Sequence, residues 1–373
     1  MTSLALSEQG QLLTFAPMSA RRLLTLTGIA MILSGMIFGD LFAVFILHQN
    51  AARVGNSLTA AANAALAGDP AAVSSSFQQV GLFLENRGTK VDTHVHLIGF
   101  GYLALMLAIL QPWTAIAETV RRRLAWAFLC GGILLPVGVF LIHYVGLAYS
   151  PLRAIGWASI FADAGGAVVM LSTAGYLFGL IRHFGLANRG PIKDALLDDH
   201  CSATRTLLAG GLSLVLIGFL QGSYYAGADL YRHETAEYDL LAQMSSGAAA
   251  KDVATVNHAL VQYGQLQGDK AVKIAAHAHF VEFGLLAMLL GFFQPYVNLS
   301  DPWKRAWAGV LLFGSALLPV CVLLELKLGL LAGGLADLGG LLVVLSGLAM
   351  WIGILRYTGK LDAAMPVSQK VYQ

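Results

Sequence analysis

Charged residues are scarce in this chain. Aspartate, glutamate, lysine and arginine together make up 12% of its 373 residues, whereas a soluble domain has about 25%. Hydrophobic residues make up 57% of the chain. This composition excludes an ordinary soluble domain, and the scattered basic residues exclude a nucleic-acid-binding surface. The first partner that the sequence predicts is therefore a lipid bilayer.

Cysteine is also scarce. The three cysteines are Cys130, Cys201 and Cys321, and no Cys-x-x-Cys pair occurs. The two longest loop segments, near 48–92 and 230–273, contain no cysteine at all. The sequence therefore excludes a disulfide framework, a cysteine-based zinc site and covalently attached c-type haem.

Eight long apolar runs dominate the rest of the chain. Each has about 20 residues or more, which is enough to cross a ~30 Å hydrocarbon core as a helix. The runs are too long for barrel strands, the other structure that satisfies the backbone in lipid. They lie near 23–47, 95–117, 124–149, 155–181, 206–228, 275–297, 306–332 and 334–355. We predict an all-α integral membrane fold with eight transmembrane helices.

The most informative pattern is an internal repeat. Residues 94–113 read HVHLIGFGYLALMLAILQPW, and residues 277–296 read HAHFVEFGLLAMLLGFFQPY. Nine of these twenty aligned positions are identical, at an offset of 183 residues. The same offset aligns glycines of the preceding apolar runs, namely Gly28 with Gly211, Gly35 with Gly218 and Gly39 with Gly222.

The repeat predicts a duplicated architecture. We expect a first four-helix repeat over 1–183, a cytoplasmic linker over 184–204, a second four-helix repeat over 205–360 and a cytoplasmic tail over 361–373. Because four is an even number, both repeats have the same orientation in the membrane. A pseudo-twofold axis along the membrane normal is the expected packing of such parallel repeats.

The basic residues predict the orientation. They concentrate at one set of helix ends, as in the run Arg121-Arg122-Arg123. The positive-inside rule then places both termini in the cytoplasm and the long loops outside, and we assign the chain to a bacterial inner membrane. Both loops are rich in alanine with helical periodicity, so we expect short helices that cap the outer membrane face. Asp163 and Asp337 are expected to be the N-caps of helices 4 and 8.

The ionisable residues within the apolar runs lie almost entirely at one depth, the outer leaflet, and only Asp40 is deeper. An ionisable residue inside a membrane is a functional hypothesis by default. The layer comprises His94, His96, His143, His277, His279, Glu282, Glu325 and Lys327. Imidazole is a ligand for haem iron, copper, zinc and non-haem iron. The alternative is that these histidines cap helix starts or contact lipid headgroups. The loop residues His48 and His233 are expected to be solvated, with contact to the layer as the alternative for either.

The spacing of the His-x-His pairs limits what they can bind. Residues two apart on a helix point about 200° apart, so His94 and His96 would face the repeat interface and helix 3 or 4 of their own repeat. Alternatively, the chain is extended at this point and the pair binds one metal.

The second copy adds a carboxylate to this arrangement. Glu282 follows His279 by three residues and shares its helix face. We take the four histidines, His143 and Glu282 as candidate metal ligands, and Glu282 and Glu325 as candidate acid–base residues. Glu325 with Lys327 is otherwise an interfacial ion pair. Because His143 and Glu282 have no equivalent in the other copy, a single asymmetric site is expected.

A family resemblance sharpens the redox interpretation. The stretch from His94 to Gly101, His-x-His-Leu followed by Gly-Phe-Gly, resembles small membrane modules related to the catalytic subunits of haem–copper oxidases and nitric oxide reductases. The resemblance implies ligation of a low-spin haem by His94 or His96, and by His277 or His279. The chain has no His-Pro-Glu-Val-Tyr segment and no later His-His pair, so proton-pumping oxygen reduction is not implied.

The leading functional expectation is redox chemistry at b-type haem, with copper or non-haem iron as the alternative cofactor. Two histidine ligands would indicate electron transfer, and an open position beside Glu282 would indicate an oxidoreductase. The candidate partners are a quinol or a periplasmic electron-transfer protein, within a homo-oligomer or a membrane complex. A transporter that uses the histidine and carboxylate layer is the second hypothesis. A non-catalytic membrane subunit that docks a periplasmic partner is the third.

Overall fold

The computed structural model describes residues 19–42, Phe45, 48–145, 157–186 and 202–357. Over these ranges the chain is helical and contains no strand, and eight of the helices are long and apolar enough to cross a membrane. The predicted all-α membrane fold is confirmed. The side chains of Asp40 and His48, most of the predicted linker, and the predicted tail 361–373 lie outside the described residues.

Ten α-helices form the described structure. They are α1 Ala20–Phe42, α2 His48–Ala67, α3 Pro70–Leu110, α4 Glu118–Val145, α5 Ala158–Leu186, α6 Ser202–Tyr224, α7 Leu230–Ala249, α8 Val253–Phe293, α9 Asp301–Leu328 and α10 Leu330–Leu355. A π-helical segment, Tyr225–Asp229, joins α6 to α7. Short 3-10 turns end α3 and α8 at Gln111–Trp113 and Gln294–Tyr296, where Pro112 and Pro295 prevent the α-helix from continuing.

Two helices are far longer than a membrane is thick. α3 and α8 each contain 41 residues, a rise of about 60 Å against a hydrocarbon core of ~30 Å. The N-terminal half of each helix therefore extends beyond the apolar layer, with α2 packed along α3 and α7 along α8. The structure differs here from the expected short cap helices, because no helix-breaking residue separates the loop part from the membrane part. We call the end of the bundle that carries these two helical hairpins the hairpin end.

The N-caps of α3 and α8 are Asp69 and Asp252. The Asp69 side chain accepts hydrogen bonds from the backbone N–H groups of Ala71 and Ala72. Asp252 accepts from Ala254 and from both the hydroxyl and the backbone N–H of Thr255, and these bonds from Thr255 hold the pKa of Asp252 below its usual value. The carboxylates thus satisfy donors that a helix start leaves free.

The prediction that Asp163 and Asp337 are N-caps is wrong. Asp163 is the sixth residue of α5, which begins at Ala158, and Asp337 is the eighth residue of α10, which begins at Leu330. Both side chains are exposed on the surface of the described chain. Both helices begin before the aspartate, so the free backbone N–H groups that an N-cap satisfies lie earlier in the chain.

Glycines allow four helix pairs to approach closely. α1 packs against α3, α4 against α5, α6 against α8 and α9 against α10. A Cβ atom added at Gly28 would lie 2.9 Å from the carbonyl oxygen of Gly101, and one added at Gly211 would lie 2.6 Å from that of Gly284. Small residues at such contacts are the usual means of helix association in lipid, where no hydrophobic effect drives helices together.

A shared apolar core joins the N-terminal half, residues 1–183, to the C-terminal half, residues 205–360. The ring of Phe100 in α3 packs edge-on against Phe128 of α4 and against Phe219 of α6, with centroids 6.3 and 6.0 Å apart. Leu208 and Met288 belong to the same buried cluster. The two halves pack mainly through α5 against α6 and α3 against α7, with a smaller contact between α3 and α8, the helices that carry the His-x-His pairs.

Adjacent glycines provide a test of the close packing between α4 and α5. A Cβ at Gly165 would lie 2.5 Å from the backbone nitrogen of Leu135, whereas a Cβ at Gly166 would lie 3.3 Å from the movable Cδ1 of Leu135. We expect Gly165→Ala to lower the free energy of unfolding by about 1–3 kcal/mol, the usual cost of overpacking, and Gly166→Ala to cost clearly less. Thermal unfolding in detergent measures both. Equal losses for the two variants would contradict this packing.

Candidate functional site

His94 projects from α3 onto α1. Its Nδ1 atom lies 2.8 Å from the carbonyl oxygen of Gly35. Because a carbonyl oxygen only accepts, Nδ1 must carry a proton and donate it, which makes Nε2 the ring nitrogen that could bind a ligand. A Cβ atom at Gly39 would overlap the imidazole ring. The two glycines of α1 therefore form a seat for the histidine, in which Gly35 supplies the carbonyl acceptor and Gly39 leaves the space that the ring occupies.

His277 occupies the corresponding seat in the C-terminal half. Its Nδ1 lies 2.8 Å from the carbonyl oxygen of Gly218 in α6, and a Cβ at Gly222 would lie 2.6 Å from that same Nδ1. Donor and acceptor are 59 residues apart in both halves. The structure thus presents two imidazoles with the same orientation and the same kind of backbone partner, a glycine carbonyl.

The second histidine of each pair points elsewhere. His96 donates from Nδ1 to the carbonyl oxygen of Asp92 at 2.6 Å and packs on the Phe100 ring. It also interacts electrostatically with His277 of the other half. His94 therefore faces α1 of its own half. The sequence predicts that one histidine of the pair faces the third or fourth membrane helix of that half, which are α4 and α5 in the structure. Both α3 and α8 are continuous through these residues, so the alternative of an extended, chelating pair is wrong.

His279 has an unsatisfied ring nitrogen. Its imidazole stacks on Phe283, with centroids 5.4 Å apart and planes inclined by 13°. Its Nδ1 is buried and has no hydrogen-bond partner among the described residues. His279 is thus held by an aromatic contact rather than by the backbone seat that holds His277.

The other candidate ligands are distributed around the bundle. Glu282 and Glu325 are exposed on the surface of the described chain, with Glu325 beside Gly333 of α10. His143, near the end of α4, lies edge-on to Tyr144, and its buried Nδ1 has no partner within the described ranges. In these ranges no group of three or more histidine, cysteine, aspartate or glutamate side chains is placed to hold a metal ion.

Charged groups of both halves meet near the His-x-His pairs. Asp92 of α3 interacts electrostatically with Lys270 of α8 as well as with His96. Glu85 of α3 likewise interacts with Glu234 of α7. The interface between the halves at the hairpin end is therefore polar, in contrast to the apolar core around Phe100.

The sequence interpretation missed a pair of lysines that were visible in the repeat. Lys90 and Lys273 align at the same offset of 183 and precede His94 and His277 by four residues, which is one helical turn. Both halves therefore share the pattern Lys-x-x-x-His-x-His. Their position in the sequence alone does not distinguish these lysines from the other charges of the long polar loops.

Lys273 is paired with two carboxylates. Its Nζ lies 2.9 Å from Asp229 and 2.8 Å from Asp269. His233 extends this network through its Nε2, which lies 2.5 Å from Asp269. The expectation that His233 is solvated is wrong. Its side chain is buried between Tyr225 and Asp269 of α8.

Lys90 has no such partners. Its side chain is fully buried, and its Nζ lies 4.4 Å from the ring centroids of both Phe140 and Tyr144. No hydrogen-bond acceptor contacts this nitrogen among the described residues. A desolvated cation–π contact contributes roughly 2 kcal/mol, whereas removing an ammonium group from water costs several kcal/mol. The two rings offset only part of the cost of burying a charged Lys90.

No protein-family model matches the chain, and neither a curated protein nor a solved structure matches it. The function of this chain is therefore inferred from its own residues and their geometry.

The two lysines are expected to differ in their contribution to stability. Lys273→Met removes the cation between Asp229 and Asp269, and because these groups are only partly exposed we expect a loss of about 2–3 kcal/mol. Lys90→Met removes a buried amine without an acceptor, so we expect a change within about 1 kcal/mol or a gain. Unfolding by SDS from lipid-free detergent micelles measures both variants. A larger loss for Lys90→Met than for Lys273→Met would contradict the pairing described above.

Proposed function

We propose that this chain is a membrane redox protein that binds b-type haem through the Nε2 atoms of His94 and His277. The observation that carries the proposal is the pair of identical seats, in which Nδ1 donates to a glycine carbonyl 2.8 Å away. Metal-binding histidines commonly donate the other ring N–H to a carbonyl or carboxylate, which fixes the tautomer and the ring orientation. Two such seats favour one haem in each half over the single asymmetric site expected from the sequence.

The donor set fits haem better than copper or non-haem iron. A porphyrin supplies four ligands of its own and needs only one or two from the protein. A site made only of protein side chains needs three or more ligands in one place, and the described residues offer no such group. The seats of His94 and His277 meet the smaller requirement.

The proposed architecture places these residues in two fused, parallel four-helix repeats. The hairpin end faces outward and both termini are cytoplasmic, as the distribution of basic residues indicates. The aligned glycine seats and aligned helix caps support the duplication. The bacterial inner membrane is the proposed location, with a quinol or an extracytoplasmic electron-transfer protein as the partner.

Bound haem would supply one-electron transfer between its two iron oxidation states. The chain's own residues hold the imidazoles in place, because the Gly35 and Gly218 carbonyls accept from Nδ1 and orient each ring. Phe100, Phe128 and Phe219 exclude water from the region between the halves. Each seat offers one histidine ligand, so electron transfer is not assigned from the number of ligands. Glu282 and Glu325 are exposed, and the aligned positions of the N-terminal half hold Gly99 and Ile142, so chemistry common to both seats is electron transfer rather than acid–base chemistry at these carboxylates.

Spectra of glutamine variants test the proposal. We expect the purified protein to show a Soret band and, after dithionite reduction, an α band typical of b-type haem. His94→Gln and His277→Gln each keep an amide donor for the glycine carbonyl but lose the imidazole ligand, so we expect each to lower the haem content by about half. The haem content is measured by the pyridine haemochrome method.

The matched controls are His96→Gln and His279→Gln, which lie on the same helices outside the glycine seats and are expected to retain haem. A visible spectrum without haem bands would contradict the proposal, as would full haem content in both His94→Gln and His277→Gln. If the spectrum shows no haem bands, elemental analysis would distinguish bound copper or iron from a protein without metal.

A further inference from the structure

Three buried polar atoms that have no hydrogen-bond partner in the described part of the chain lie together at the hairpin end of the N-terminal half. They are Asn86 Oδ1, Lys90 Nζ and His143 Nδ1. Asn86 precedes Lys90 by one helical turn, so the two share a face of α3. His143 interacts electrostatically with Lys90 and adjoins Tyr144, one of the two rings that flank the amine. Buried polar atoms are rarely left unpaired, and their concentration at one place indicates a missing ligand.

Comparison of the two halves indicates the charge of that ligand. The lysine is retained, but the positions aligned with Asp229 and Asp269 hold Ile46 and Asn86. In the C-terminal half those two carboxylates neutralise Lys273. The N-terminal half therefore keeps the cation without either anion. Glu85 interacts with Lys90 electrostatically but forms no ion pair with it among the described residues.

The surroundings indicate that the ligand is amphipathic. Lys90 lies one turn before the apolar run of α3, which is the depth of the lipid headgroups. On α4, Ile133, Val137, Phe140 and Tyr144 follow a helical spacing that places them on one face. The side chains of Ile133, Val137 and Tyr144 on this face are 49%, 47% and 61% exposed. The cation is thus adjacent to an apolar strip that runs toward the middle of the membrane.

We infer that the N-terminal half binds an anionic phospholipid, with its phosphate on Lys90 Nζ and an acyl chain along the apolar strip of α4. The phosphate oxygens accept from Lys90 and from His143, and a headgroup hydroxyl donates to Asn86 Oδ1. Tyr144 is the outer wall of the site, and rotation of its exposed ring opens the amine to the membrane. The inference is independent of haem binding, because it involves neither His94 nor His277.

Native mass spectrometry in detergent tests this inference. The probes are phosphatidylglycerol and phosphatidylcholine with the same acyl chains, added to delipidated protein. We expect the wild-type chain to bind phosphatidylglycerol at least tenfold more tightly than phosphatidylcholine. Lys90→Gln and Lys90→Met should abolish this preference, whereas Lys273→Gln should retain it because Lys273 is already paired. Lys251→Gln is a charge-matched control in the exposed turn before α8.

Circular dichroism and gel filtration establish that each variant is folded. An unchanged lipid preference in both Lys90 variants would overturn the inference, as would a loss of preference in Lys251→Gln, which would indicate nonspecific charge attraction. Inorganic phosphate serves as a competitor. If millimolar phosphate displaces the lipid completely and stabilises the protein as much as the lipid does, the site binds a free anion and the lipid assignment is wrong. Haem content, measured separately, reports on His94 and His277 alone.

Discussion

The hydrogen bond from the first histidine of each His-x-His pair to a glycine carbonyl is the constraint on which the membrane part of this structure depends. It requires α1 and α3, and likewise α6 and α8, to approach so closely that only glycine fits at Gly39 and Gly222. About two turns farther along α3, Phe100 contacts Phe219 of the other half. A polar group in lipid is costly unless paired, and here the backbone of the neighbouring helix is the partner.

The same backbone framework supports two different electrostatic environments. At the hairpin end of the C-terminal half, Lys273 is compensated within the chain by two carboxylates. At the aligned position, Lys90 is enclosed by aromatic rings and has no acceptor within the described part of the chain. The sequence predicts an asymmetry between the halves at His143 and Glu282. The structure adds a second asymmetry, because Lys273 is paired with carboxylates and the aligned Lys90 is not. The glycine seats remain equivalent while the surrounding charges differ.

Much of this arrangement could be predicted from the sequence, because a bilayer leaves few choices for an apolar run of 20 residues. The eight membrane helices and the opposite directions of His94 and His96 follow from length and helical periodicity. Helix starts are harder to predict from the sequence. The N-cap prediction for Asp163 is wrong because α5 already begins at Ala158, five residues earlier. The partners of His233 and Lys90 depend on contacts between helices far apart in sequence, which no local pattern records.

The unbroken course of α3 and α8 has a mechanical consequence. Each is a single rod with no helix-breaking residue between the helical hairpin and the membrane part. A hairpin of this kind cannot tilt about a local joint without bending the helix or moving its membrane part. The position of each hairpin relative to the histidine on the same rod is thus fixed by the stiffness of one helix.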